Sequence, residues 1–282
     1  MKTVNSISGG KTSAYIAANY KADYNVFSLV RTNDTKCIYP DAKVRQMVSD
    51  KIGKEFIGTL EDDIIIKTMF ELEQFIGSKI DWVTGKTFEE VLNTAGTLPD
   101  PLRRYCTTQL KLEPMFYWWK ENINVPCDFR LGFRANEVNR AVRTNSKLNQ
   151  NGFLEIKAII GKSDNGRNKW KIIEWQKPIY PLIEDNIYKD QIEIFWKDKP
   201  VKFAWMNNCV GCFHKTPLLI RKMWDKHENK IEWFASKERI NHNKDVWYKD
   251  KNLSFYDIKK YNLQFELYDD DFNECDSGYC GI

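Results

Sequence analysis

The chain has 282 residues, 42% of them hydrophobic and 14% aromatic, and 43 Lys and Arg against 39 Asp and Glu leave a net charge of +4. This is apolar material for one large domain or one and a half, and with 29% charged residues it excludes a disordered tail protein and a collagen-like chain. No apolar run approaches the roughly 20 residues of a membrane helix: Ile64 to Phe70 is broken by Lys67, and no apolar leader follows Lys2. A cytoplasmic protein without membrane contact is expected.

The first third alternates short apolar runs with helical ones. Lys2 to Ile7 predicts a strand, then a Ser-Gly turn and a helix from Thr12 to Ala22. Asn25 to Val30 predicts a second strand, Asp41 to Ile52 a helix, Glu55 to Leu60 a third strand, and Ile64 to Ile76 a long amphipathic helix. Strands and helices alternating at these lengths predict an α/β fold with a parallel sheet. Lys111 to Asn122 predicts a helix, and Phe129 to Phe133 a strand turning at Gly132. About 153–175 the pattern becomes alternating around Ser163-Asp164-Asn165-Gly166, which predicts an inserted antiparallel hairpin. Helices are expected at Tyr188 to Lys197 and Leu218 to Lys230, so residues 1–185 are expected to form the main domain and 186–282 a packed helical and cysteine-bearing subdomain.

Charge is uneven along the chain. Glu266, Asp269, Asp270, Asp271, Glu274 and Asp276 crowd the C-terminus, and setting those six aside raises the +4 to +10. A basic body of this kind attracts phosphates, on a nucleotide or on a nucleic acid. Ser6-Ile7-Ser8-Gly9-Gly10-Lys11-Thr12-Ser13 joins the first strand to the first helix, where backbone amides and the helix dipole favour an anion. Gly10-Lys11-Thr12 ends like a Walker A loop, but that motif begins with Gly where this chain has Asn5. A tight strand-to-helix turn capped by a hydroxyl is the competing reading.

Three motifs carry a family resemblance. Ser8-Gly9-Gly10-Lys11-Thr12-Ser13 resembles the Ser-Gly-Gly-x-Asp-Ser pyrophosphate loop of the adenine nucleotide α-hydrolase superfamily, which includes ATP pyrophosphatases and phosphoadenylyl-sulfate (PAPS) reductases. Arg104-Tyr105-Cys106-Thr107 with Leu110-Lys111-Leu112-Glu113-Pro114 resembles the Arg-x-Cys-Thr and Leu-Lys-x-x-Pro segment of the PAPS reductase-like branch. Gly132-Phe133-Arg134-Ala135-Asn136-Glu137 followed by Arg140 resembles its Gly-x-Arg-x-x-Glu-x-x-Arg. The resemblance covers about the first half of the chain and implies a Rossmann-like nucleotide-binding core. It departs at Thr12, where the nucleotide-hydrolysing members have Asp.

The resemblance implies that Ser8, Gly9, Gly10, Lys11, Thr12 and Ser13 bind the phosphates of ATP or PAPS; Asp34, after the second strand, is by sequence order the acid nearest the loop and is expected toward Mg²⁺ or a ribose hydroxyl. Lys111, Arg134, Arg140 and Cys106 are the expected catalytic residues, the arginines as a bidentate clamp and Lys111 as a point charge. Arg103 and Arg104 form a second candidate clamp. For each cation and for Asp34 an ordinary surface role competes.

The seven cysteines are odd in number and unevenly spaced, which speaks for thiol or metal chemistry over a disulfide framework. Cys209-Val210-Gly211-Cys212 and the pair Cys275 and Cys280 suit tetrahedral zinc or a [4Fe-4S] cluster. A competing set replaces a tail cysteine with Cys106. Cys37 and Cys127 are expected to be buried or incidental. Arg167-Asn168-Lys169-Trp170-Lys171 interleaves basic and aromatic residues as nucleic-acid surfaces do, but is read here as a solvated strand with one packed Trp. The expected function is nucleotide-dependent sulfur chemistry, either sulfonucleotide reduction or ATP-dependent adenylation with sulfur transfer to a small-molecule, nucleic-acid or sulfur-carrier partner. A non-catalytic nucleotide-binding module is the alternative.

Overall fold

The computed structural model describes residues 1–206, 208–238, 240–241, 244–245 and 253–263. Its first half runs β1 (Thr3–Ile7), α1 (Lys11–Asn19), β2 (Tyr24–Ser28), α2 (Ala42–Ile52), α3 (Ile64–Ile76), β3 (Ile80–Val83) and α4 (Phe88–Ala95). A single turn, α5 (Tyr105–Thr107), leads through a π-helical stretch, Thr108–Leu112, into α6 (Glu113–Asn122) and then β4 (Cys127–Arg130) and α7 (Val138–Asn145). The hairpin β5 (Leu154–Lys162) and β6 (Asn168–Ile179) follows, then α8 (Pro181–Glu184), α9 (Lys189–Trp196), α10 (Pro217–Lys226), α11 (Glu228–Ser236) and α12 (Phe255–Lys259).

The six strands form one mixed, mainly parallel sheet in the order β3-β2-β1-β4-β6-β5, with only the edge pair β5 and β6 antiparallel. The register of the central pair places Asn5 opposite Asn25, and the Asn5 side-chain amide donates to the Asn25 Oδ1 at 2.9 Å and to the Tyr20 carbonyl at 3.0 Å. A buried amide pair of this kind penalises a slipped register, because a shift would leave both groups unsatisfied. Helix boundaries are locally encoded. Asp41 accepts from the Lys43 and Val44 amides and Gly53 ends α2 in the left-handed region, while Thr87 and Glu90 form a reciprocal capping box on α4.

The expected strand at Glu55 to Leu60 is corrected. Only Gly58 makes bridges there, to Thr32 and Ile38, and a Cβ on Gly58 would lie 2.0 Å from the Cys37 carbonyl oxygen. The apolar side chains of this stretch anchor a link between two cores, Phe56 in one and Leu60 in the other. The sheet position beside β2 belongs to Ile80–Val83. The hairpin is antiparallel as expected, but its second strand is part of the sheet, since Cys127–Arg130 pairs with Gln176–Ile179.

Helices α1 and α3 pack with Leu182, Ile192, Trp196 and Val201 on one side of the sheet. A second core joins α4 and Leu110 to α10, α11 and α12 through Phe88, Leu219, Trp224, Phe234 and Phe255. The seam between these layers is polar. Glu61, Asp62 and Asp63 stand in series before α3, and each meets a different nitrogen-bearing side chain. Lys111 Nζ lies 2.9 Å from Glu61, His227 Nε2 3.3 Å from Asp62, and Lys230 Nζ 2.7 Å from Asp63. Lys230 also donates to the Glu61 carbonyl at 2.6 Å.

Two outcomes follow for the seam. Lys230→Met strands Asp63 and the Glu61 carbonyl and is expected to cost about 3 kcal/mol, the low end for breaking a buried pair, because Asp63 keeps some solvent; chemical denaturation measures it. Burial alone would raise the Asp62 carboxyl, but hydrogen bonds from His227 and the Ile64 amide outweigh it and hold its pKa below the ordinary 3.8. That stabilisation is complete above 3.8 and is lost as pH falls through the lower folded value. Acid unfolding followed by circular dichroism should therefore show a shallower pH dependence in Asp62→Asn.

Candidate functional site

The order of the strands reverses at β1: β2 lies on one side and β4 on the other. The loops leaving the carboxyl ends of β1 and β4 therefore flank a crevice, the place where open α/β sheets bind ligands. The two loops touch. A Cβ built on Gly132 would lie 3.4 Å from Thr12 Cγ2 and 3.5 Å from the Ser13 nitrogen.

The first loop is held by its own hydroxyls. The Ser8 amide donates to Ser13 Oγ at 3.1 Å, Ser13 Oγ donates to the Gly10 carbonyl at 3.1 Å, and the two serine hydroxyls lie 3.2 Å apart. Gly9 has φ +86°, and a Cβ there would come within 2.7 Å of Ile65 Cγ2 in the first turn of α3. Only glycine meets both demands. Helix α1 starts at Gly10 with no acidic residue in its first turn, so its dipole and N-terminal amides face the crevice uncompensated by a carboxylate of that turn. Thr12 and Ser13 are buried. Lys11 pairs with Glu193 on α9, and its carbonyl accepts from Trp196 Nε1 at 3.0 Å, which directs this lysine to a neighbouring cleft lined by α3 and α9.

The second loop carries the two expected arginines, and one carboxylate organises both. Glu137 Oε2 accepts from the Arg134 amide at 2.8 Å and from Arg134 Nε at 3.1 Å, while Oε1 accepts from Arg140 Nη1 at 2.6 Å. Arg140 also lies over the Phe133 ring, 4.1 Å from its centroid. Such a network fixes two guanidinium planes in advance of any ligand. Glu137 belongs to the motif, but the role of its carboxylate appears only in the folded geometry.

Lys111 sits in the π-helical stretch against Glu61, whose side chain is 1% exposed. Lys111 also lines a small cavity of about 30 Å³ together with Cys106, Cys209, Cys212 and His214. The cysteine turn is tied to the same seam by the Val210 amide, which donates to the Leu60 carbonyl at 2.8 Å. Gly211 packs under Phe234 so closely that a Cβ would fall 2.2 Å from the ring. Beneath this turn lies a fully buried lysine, Lys215, which donates to Asn208 Oδ1 and, at 2.6 Å, to the Cys209 carbonyl. Nothing in the sequence around Lys215 distinguishes it from a surface lysine.

Among the described residues, no group of three or more His, Cys, Asp or Glu side chains is arranged to hold a metal. Cys275 and Cys280 lie outside the described residues. Cys37 and Cys127 are buried, and burial pushes both thiols up to about 12, out of the range of reactive thiolates. Asp34 is not brought to the crevice by any contact: it caps a short 3₁₀ turn, accepting from the Lys36 amide at 2.9 Å. Arg103 is engaged by Asp100 through Nε and Nη2 at 2.9 and 2.8 Å. Among the described residues no helix is long and apolar enough to cross a membrane.

No family model, curated protein or solved structure matches this chain. The left-handed Gly9 yields a direct test of the loop geometry. Gly9→Ala combines an unfavourable φ with the Ile65 contact and is expected to destabilise the protein by about 1–3 kcal/mol. Gly9→Ala should cost less in an Ile65→Ala background than in the wild type, the difference being the steric part and the remainder the backbone part, read from the melting temperatures of the double-mutant cycle.

Proposed function

We propose that this chain is a nucleotide-dependent enzyme that binds the phosphates of an adenine nucleotide on the Ser8–Ser13 loop and carries out sulfur-related chemistry. The observation that carries the reading is the meeting of the Gly9-Gly10 loop and the Gly132 loop at the strand-order reversal. An anion there would receive the α1 amides, while the Ser8 and Ser13 hydroxyls, bonded to each other and to the Gly10 carbonyl, hold the loop in shape. Arg134 and Arg140, oriented by Glu137, supply planar donors at the β4 side of the same crevice. The adenine preference comes from the motif resemblance to PAPS reductase-like proteins.

Two reactions are consistent with this constellation. In a reduction, a thiolate attacks the sulfur of PAPS and displaces adenosine bisphosphate. A second thiolate then attacks the cysteine Sγ of the S-sulfonated intermediate, the Sγ–SO3 bond breaks with its electron pair leaving on sulfite, and a disulfide remains. In an adenylating transfer, an acceptor oxygen attacks the α-phosphate of ATP, pyrophosphate leaves, and a sulfur nucleophile then displaces AMP. Cys106, Cys209 and Cys212 around one cavity beside Lys111 favour a thiol-bearing mechanism over pure nucleotide storage. Metal is proposed at Cys209 and Cys212, completed by Cys275 and Cys280 or with Cys106 in place of one of them. Thr12 keeps the non-catalytic binding module as the second reading.

Gly10 has φ −94° and ψ 158°, a backbone conformation that valine accepts, so Gly10→Val adds a side chain at the phosphate position without backbone strain. The expected result is at least tenfold weaker nucleotide binding by calorimetry in a variant whose circular dichroism spectrum is that of the folded wild type. Unchanged affinity removes the loop from the site. Sulfite release from PAPS with a thiol reductant identifies the reductase, and conversion of ATP to AMP and pyrophosphate with an acceptor identifies the transferase. Metal and acid-labile sulfide analysis of anaerobically purified protein separates zinc from iron–sulfur.

A further inference from the structure

The outer half of the β5–β6 hairpin projects from the sheet, and its residues are exposed from Ile160 to Ile172 apart from a half-buried Ser163. It carries Lys162, Arg167, Lys169 and Lys171 against Asp164, an excess of +3 in a short arm, with Lys157 just before it. The acids at its root are already engaged: Asn149 Nδ2 donates to Glu155 at 2.8 Å and to Glu174 at 2.5 Å. The tip is closed by the Ser163 amide donating to the Arg167 carbonyl at 2.7 Å, with Gly166 at φ +74°.

Trp170, expected to be packed, is 55% exposed, and Ile172 is 61% exposed. Ladder pairing puts Lys157 opposite Ile172 and Ile159 opposite Trp170, so these four share one face, while Lys171 and its partner Ala158 are on the other. Lys157 Nζ lies 5.5 Å from the Trp170 ring centroid. An ordered two-stranded arm therefore offers an apolar and aromatic strip framed by cations on both faces. Self-pairing of two such arms is opposed by Lys157 and Lys162 on the edge strand.

We propose that this hairpin is a nucleic-acid-binding arm, its lysines and Arg167 contacting phosphates and Trp170 contacting a base or sugar. The charge is complementary to a polyanion, a two-stranded ribbon fits a major groove, and an exposed indole provides a stacking surface for an unpaired base. The inference stands independently of the nucleotide reading, since no residue of the crevice takes part.

The test is fluorescence anisotropy of full-length protein with labelled mixed-sequence DNA, duplex and single-stranded, from 50 to 200 mM salt. Four phosphate contacts predict that affinity falls roughly a hundredfold across that range. Lys162→Ala, Arg167→Ala, Lys169→Ala and Lys171→Ala combined should flatten the salt dependence and abolish most binding. All four side chains are exposed, and an unchanged melting temperature verifies that the variant folds. Trp170→Ala should weaken single-strand binding about tenfold or more, with Trp170→Phe restoring much of it. The proposal is overturned if the wild-type protein does not bind either DNA at 50 mM salt, or if the quadruple variant binds as tightly as wild type. It is equally overturned if Trp170→Ala changes only the sedimenting mass of the protein, which would assign the strip to a second copy of this chain.

Discussion

Three consecutive carboxylates, Glu61, Asp62 and Asp63, hold the two halves of this protein together. Each is matched by a partner from a distant part of the chain: Lys111 from the π-helical stretch, and the His227 imidazole and Lys230 from the junction and start of α11. Three adjacent acids would repel one another if buried alone, so the two lysines and the His227 hydrogen bond are a condition for burying this segment at all. Once it is buried, the geometry of the crevice follows. Ile65, just beyond the triplet, is the surface against which Gly9 turns, and Leu60, just before it, receives the Val210 amide of the cysteine turn.

This arrangement explains how the Ser8–Ser13 loop and the cysteine-lined cavity come to share one structural foundation. The loop is shaped by short-range bonds among Ser8, Gly10 and Ser13, while the thiol cavity is assembled from α5, the π-helical stretch and the turn before α10. Lys111 ties the cavity to the acidic seam, since it lines the one and pairs with Glu61 in the other. A lysine in this position is restrained by a nearly fully buried carboxylate, so its charge is positioned rather than mobile. Lys215, sealed under the Cys209–Cys212 turn, fixes the backbone of that turn by donating to the Cys209 carbonyl.

The hairpin shows the opposite strategy. Its root joins the sheet through β6 and packs Ala158 and Trp175 into the core, whereas its outer half buries nothing and concentrates cations. The crevice and the arm are thus built on different physics, one on enclosed, paired charges and the other on exposed, like charges.

What the sequence determined by itself was local. The run from β1 through the Ser-Gly-Gly turn into α1 was legible because a strand, a glycine turn and a helix start are specified within a dozen residues, and α2 and α3 were legible from period and capping. Glu137 was readable as a motif member but not as the carboxylate that aligns Arg134 and Arg140. Glu55 to Leu60 looked like a strand because apolar runs of that length do not reveal whether they will pair in a sheet or bridge two cores. The pairing of Glu61, Asp62 and Asp63 with Lys111, His227 and Lys230, the burial of Lys215 and the exposure of Trp170 were decided by tertiary structure alone. Each depends on which surfaces lose water when segments far apart in the chain meet, and desolvation and ion pairing across such distances leave no periodic trace in the sequence.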